Sequence, residues 1–195
     1  MNNKEIQEQR MKGYFIQATK ELLKAEGLKA INVRGVAEKA GYSYTTMYNY
    51  FKDLNDLVFY CVEDFYTECK EFTEEKTITL PNGIDKLKSK IIAYTNYFIE
   101  YPGIFELFFL ERMGDLRQKQ PTFDLISLSL DTICEPEWTY CFDQNLIHSG
   151  EPEIVKSQVR YAITGLLLLY LNRMSPATYT EFIQQVNTQL DSVIS

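Results

Sequence analysis

The chain has 195 residues, 45% of them hydrophobic and 24% charged, a balance that excludes intrinsic disorder and allows one large domain or two modest ones. Its net charge of −7 argues against a nucleic-acid partner only until its distribution is read: residues 1–57 carry nine Lys and Arg against seven Asp and Glu, and the rest carry eleven against twenty. A cationic head on an acidic body suits a protein that presents one end to DNA.

Helical periodicity dominates the chain. Met11, Phe15, Ala18, Leu22 and Ala25 recur at spacings of three and four, which predicts an amphipathic helix over residues 4–26 with Gly27 as its stop. Asn32 can cap a short helix with Val33, Val36, Ala37 and Ala40 on one face; Gly41 ends it, and Ser43 caps the next, which turns Met47 and Phe51 inward. Asp53 caps a long helix through Leu57, Val58, Cys61, Val62 and Phe65 to about Lys76. Pro81, Asn82 and Gly83 make a turn, and Leu87, Ile91, Tyr94 and Phe98 mark a helix from Ile84 that stops before Pro102. A short aromatic helix, Ile104 to Arg112, precedes a polar break at residues 114–120. Pro121 opens a helix through Leu125, Leu128 and Ile133, which Pro136 interrupts before Trp138. After a break at Ser149 and Gly150 come helices over residues 153–172 and 178–194. The expected fold is all-α with about nine helices: a three-helix helix-turn-helix head, residues 1–52, and a helical body, residues 53–195.

The longest apolar run, Leu166 to Leu171, is far short of the ~20 residues that span a bilayer, and the amino-terminal stretch lacks a secretory apolar core. No membrane association and a cytoplasmic location are expected. Cys61, Cys69, Cys134 and Cys141 form no CxxC pair and have only His148, a loop residue, as a further soft ligand. Reduced, mostly buried thiols are expected, with no metal and no cofactor. The chain lacks a Gly-rich phosphate loop, a nucleophile elbow and any carboxylate or His–Cys cluster at metal spacing, so it does not read as an enzyme.

In a helix-turn-helix the first helix braces against the DNA backbone and the second lies in the major groove. With Val33, Val36, Ala37, Ala40, Met47 and Phe51 inward, the second helix leaves Tyr44, Thr45, Thr46, Tyr48 and Asn49 outward, hydroxyls and polar tips suited to phosphates and base edges. The residues Val33-Arg34-Gly35-Val36-Ala37, Ala40-Gly41-Tyr42-Ser43, Thr46-Met47-Tyr48-Asn49-Tyr50-Phe51 and Asp53 to Leu57 follow one another at a spacing that resembles the TetR family of bacterial transcriptional regulators. The segment Tyr94 to Met113 also resembles one of that family's carboxy-terminal domain types. The resemblance implies phosphate contact by Thr46, Tyr48 and Asn32, groove contact by Tyr44 and Thr45, and base or backbone contact by Arg34. Tyr50 and Lys52 would sit at the backbone, beside Ser43 and Asn49 in the same surface. The family usually places a Lys where this chain has Leu54, and Lys52 can partly replace it.

A single head binds DNA weakly, and a homodimer reading two half-sites about 34–36 Å apart solves that problem. The stripe Val155, Val159, Ile163, Leu167 and Tyr170, with Phe182, Val186 and Leu190 on the last helix, is the candidate dimer face; in the family the two last helices of each subunit form a four-helix bundle. The resemblance also implies a cavity for a small-molecule effector. Tyr66, Tyr97, Phe98, Phe105, Phe109, Arg112 and Trp138 are the candidates to line it. The partners expected are double-stranded operator DNA, a second copy and an unknown effector, in a repressor that the effector releases. The alternative is a helical partner-binding protein that has lost its affinity for DNA.

Overall fold

The periodic segments become helices in a computed structural model that describes residues 2–110, 120–148 and 150–194, with residues 120–123 described in backbone alone. No strand occurs among the described residues. The order is α1 (Asn3–Glu26), a 3-10 turn (Leu28–Ala30), α2 (Val33–Ala40), α3 (Tyr44–Met47), α4 (Leu54–Thr77) and α5 (Ile84–Glu100). Then come α6 (Pro102–Phe105), a π-helical turn (Glu106–Leu110), α7 (Gln120–Ser127), α8 (Ser129–Ile133), α9 (Glu135–Asp143), α10 (Pro152–Leu171) and α11 (Tyr179–Ile194).

Eleven helices are thus described where the pattern predicts about nine. The difference lies in residues 120–143, where the spacing predicts one interrupted helix and three short ones occur. The backbone leaves the helical well twice, at Leu128 (ψ 13°) and Cys134 (ψ 4°), and Pro136 then sits in the first turn of α9, where its missing N–H costs no bond. The aromatic helix begins earlier than the pattern predicts, with Pro102 in its first turn, and passes into the π-helical turn. The expected polar break before Gln120, Arg112 and Ser149 lie outside the described residues, as does the side chain of Phe123.

Residues Met1–Thr67 and Tyr101–Ser127 make one compact unit, and Glu68–Glu100 with Leu128–Ser195 make a second. The core of the first is Phe15, Val36, Ala37, Met47, Phe51 and Leu57, with Met11, Leu22, Val33, Ala40, Tyr50 and Leu54 partly buried around it. On α1 the buried stripe runs Phe15, Ala18, Thr19, Leu23; Ala25, expected on it, is exposed because the four-residue step from Thr19 selects Leu23. Thr19 is accommodated by donating its hydroxyl to the Phe15 carbonyl (2.8 Å).

In the second unit α10 packs on α11, α5 and α8, and α9 packs on α5. Val155, Val159, Ile163 and Leu167 face inward with Phe182, Val186 and Leu190, and Tyr170 stacks against Phe182 at 4.7 Å. Of these residues, expected at a dimer face, all but the half-buried Tyr170 are buried within the chain. By length and composition α10 is apolar enough to cross a bilayer. Only its inward stripe and Lys156 are buried, and ion pairs from Arg160 to Asp131 (2.5 Å) and from Lys156 to Glu135 (2.9 Å) tie it to α8 and α9.

The same unit holds a buried cation. Lys90, fully buried, donates to Glu74 at 2.5 Å and to Glu137 at 3.0 Å, joining α4, α5 and α9, while Lys86 lies 3.8 Å from Glu137. Burial opposes the charge on Lys90, but the hydrogen bonds of the two carboxylates outweigh it and raise the ammonium's pKa above its ordinary value. All four cysteines are free and buried, as expected. Desolvation pushes the Cys61 thiol up to about 12, so it is no nucleophile at neutral pH.

Candidate nucleic-acid interface

The helix-turn-helix is assembled by local chemistry. The Asn32 carboxamide oxygen accepts the Gly35 N–H (2.9 Å) and its amide donates to the Ala30 carbonyl (3.1 Å), so one side chain ties the start of α2 to the turn before it. At the other end Gly41 takes the left-handed conformation (φ 77°, ψ 24°), and the next N–H, of Tyr42, reaches back to the Ala37 carbonyl at 2.9 Å. Glycine adopts that geometry without a Cβ penalty, and the chain turns there. Ser43 then opens α3: its hydroxyl accepts the Thr46 N–H (3.1 Å) and lies 2.6 and 2.8 Å from the Thr45 and Thr46 hydroxyls. Although α3 itself is four residues long, N–H groups of Asn49, Tyr50 and Phe51 continue the turn onto Thr46 and Met47 carbonyls.

Met47 is the one buried residue of α3, and with Phe51 it anchors the reading segment to the head core. The candidate DNA-binding residues all reach the surface to some degree. Asn32, Arg34, Ser43, Tyr44, Thr45, Tyr48, Asn49 and Lys52 are exposed, whereas Thr46 and Tyr50 are half-buried. Asn32 and Ser43 are engaged as caps, and Tyr50 rests against the core. The open face is therefore made chiefly by Tyr44, Thr45, Tyr48 and Asn49, with Arg34 and Lys52 as the cations of the set. Leu54 packs against the head core. Two exposed aromatics absent from the expected set border the turn: Tyr14 of α1 and Tyr42, their rings 5.9 Å apart. Their spacing in sequence carries no signal, since helix α1 brings Tyr14 there only on folding.

The effector candidates divide between the units. Tyr66, Phe105 and Phe109 belong to the first; Tyr97, Phe98 and Trp138 belong to the second. Arg112 lies outside the described residues. Phe105 packs on Phe109 (5.0 Å), Tyr97 on Phe98 (5.5 Å) and on Phe72 (5.7 Å), and Trp138 stacks on Phe142 (5.9 Å). The Trp138 indole N–H is buried without an acceptor. His148 is exposed in a loop, as expected.

Among the described residues the fold is all-helical with this capped helix-turn-helix at its head, an architecture suited to binding DNA. Residues 15–61 match the family described as bacterial regulatory proteins, tetR family. No curated protein matches the chain. Among solved structures, a putative TetR-family regulator from Rhodococcus sp. aligns over 95% of this chain and 100% of its own, with a TM-score of 0.73 at 15% identity. FadR from Bacillus subtilis, in complex with stearoyl-CoA, aligns over 93% and 97% with a TM-score of 0.70 at 18% identity. RolR in complex with resorcinol aligns over 95% and 88% with a TM-score of 0.70 at 12% identity. Residues 15–61 thus carry the amino-terminal domain of the tetR family, and the chain shares the fold of these solved regulators over 93% and 95% of its length for FadR and the Rhodococcus structure.

Proposed function

We propose that the protein is a cytoplasmic transcriptional repressor that binds operator DNA as a homodimer through residues 1–52 and is released by a small-molecule effector held in the rest of the chain. The observation that carries this reading is the face of Tyr44, Thr45, Tyr48 and Asn49, exposed on a segment whose caps and buried Met47 fix it. Rigid presentation of hydroxyl and amide tips is what base-edge and phosphate contact demand.

The dimer face follows from what α10 leaves uncovered. Ile154, Tyr161, Leu168 and Leu169 are exposed on that helix, and a Cβ at Gly165 would meet nothing within 4 Å. A glycine there costs about 1 kcal/mol of helix stability relative to alanine. Close approach of a second helix accounts for it. Effector release would act through α4, which runs unbroken from Leu54 to Thr77 and contributes to both units. A ligand that favours one position of that helix shifts the heads between spacings that do and do not match two half-sites. Ligand-bound FadR and RolR support the effector half of this reading.

Two substitutions test the reading face, measured on a duplex recovered by the unmodified protein from a random-sequence library. Tyr48→Phe removes one hydroxyl and weakens binding to all sequences alike, by about two- to tenfold, the worth of one hydrogen bond. Tyr44→Ala changes which base is preferred, by about 1–3 kcal/mol of discrimination at one position. Indifference to both substitutions would sink the assignment of this face.

A further inference from the structure

The segment Tyr101–Phe105, remote in sequence from the helix-turn-helix, clusters with the head unit. Its attachment is unusually close. A Cβ added to Gly103 would lie 2.7 Å from the Gly27 Cα and 2.7 Å from the Leu23 carbonyl oxygen, both backbone atoms that cannot swing aside. That same carbonyl accepts the Gly27 N–H (3.1 Å), the bond that ends α1. Gly27 is itself held at φ 77°, ψ 176°. Beside this contact the Lys24 ammonium lies 4.6 Å from the centre of the Tyr101 ring, and Ile104 and Phe105 are buried with 0 and 1% exposure. From Gly27 the chain passes directly into the Leu28–Ala30 turn, which Asn32 ties to α2.

We propose, resting on the DNA-binding reading above, that Gly103 is a positioning residue for the helix-turn-helix: the Tyr101–Phe105 segment clamps the carboxy-terminal cap of α1 and so sets the path by which the chain enters α2. The DNA-reading unit then includes a segment well beyond residues 1–52. The physical ground is that close-packed backbones transmit a displacement instead of absorbing it. Lifting the clamp by one methyl moves the α1 cap, the turn after it and the Asn32 tie together. Lys24 over Tyr101 contributes the second point of attachment, worth less because it is partly solvated.

The test is Gly103→Ala with two readouts. Amide hydrogen exchange is expected to rise about tenfold or more across residues 28–50 and to stay unchanged across residues 84–100. Affinity for the library-selected duplex is expected to fall about tenfold with an unchanged slope of log affinity against log salt, because the phosphate contacts remain and only their placement is lost. Native exchange and native affinity in Gly103→Ala overturn the proposal. If that variant does not fold, Lys24→Met and Lys24→Arg take its place: the arginine keeps the cation over the ring and is expected to behave as the unmodified protein, and the methionine to raise exchange at residues 28–50. Unchanged exchange in Lys24→Met overturns the proposal, and a shallower salt slope shows that Lys24 touches phosphate instead. Exchange does not depend on DNA, so a protein that selects no duplex yet loosens at residues 28–50 in Gly103→Ala refutes the DNA-binding reading and leaves the clamp standing.

Discussion

Lys90→Ala is expected to destabilise the unit of Glu68–Glu100 and Leu128–Ser195 by about 3 kcal/mol, the lower end of the cost of stripping one partner from a buried ion pair. The cost arises at Glu137, which is 5% exposed and would keep its charge without its closest cation. Glu74, 43% exposed, recovers water and adds little. Lys86, at 3.8 Å, compensates Glu137 in part, which is why the lower end applies. The double variant Lys90→Met with Glu137→Leu is expected to cost less than Lys90→Ala alone, since a volume-matched apolar pair replaces two desolvated charges. Urea denaturation followed by fluorescence reads this unit directly, because the chain's single tryptophan, Trp138, is buried in it. A Lys90→Ala loss under about 1 kcal/mol, the range of an exposed pair, would show that Glu137 is solvated and the network superficial. The pH dependence has a definite sign. With its folded pKa raised, Lys90 contributes stability that is complete below its unfolded value of about 10.4 and is lost as pH rises through the folded one, so acid does not remove it by way of the lysine.

Phe51→Ala is expected to cost about 3–5 kcal/mol, the usual range for emptying a buried aromatic site. Its ring is 2% exposed and meets Phe15 and Tyr60 edge-on at 6.3 and 5.6 Å, pinning the end of the reading segment between α1 and α4. With that pin gone, Met47 and the half-buried Tyr50 hold the segment more loosely, and its N-terminal caps keep it helical without keeping it in place. Affinity should therefore fall for every duplex together, unlike the change of preference expected for Tyr44→Ala. Amide exchange at residues 33–50 measures the loosening. A variant within about 1 kcal/mol of the unmodified stability would mean that the cavity collapses and that Phe51 is not the anchor described.

Much of the head was legible in the sequence because its signals are local. Asn32, Gly41 and Ser43 act on groups within about one helical turn, and the Val36, Ala37, Met47, Phe51 set lies close enough in sequence for periodicity to identify it. The limits appear where partners are remote. Periodicity tells which residues of α10 share a face and not what packs on it; in the folded chain α11 packs there. The Lys90 network has no local signal, because its partners stand 16 and 47 residues away. Only the fold brings Gly103 onto Gly27. The breaks at Leu128 and Cys134 have no glycine or cap to announce them, and Pro136, the one signal there, opens a helix within its first turn.

The central claim is that a chain of net charge −7 reads DNA with its cationic end. Its most direct test is fluorescence anisotropy of a library-selected duplex titrated with the 195-residue chain at a series of salt concentrations. If Arg34 and Lys52 of two heads each neutralise one phosphate, log affinity falls against log salt with a slope of about −3.6, a loss on the order of a hundredfold between 50 and 200 mM. Saturation is predicted at two chains per duplex. Failure to select any duplex, or an affinity that does not change with salt, would contradict the account.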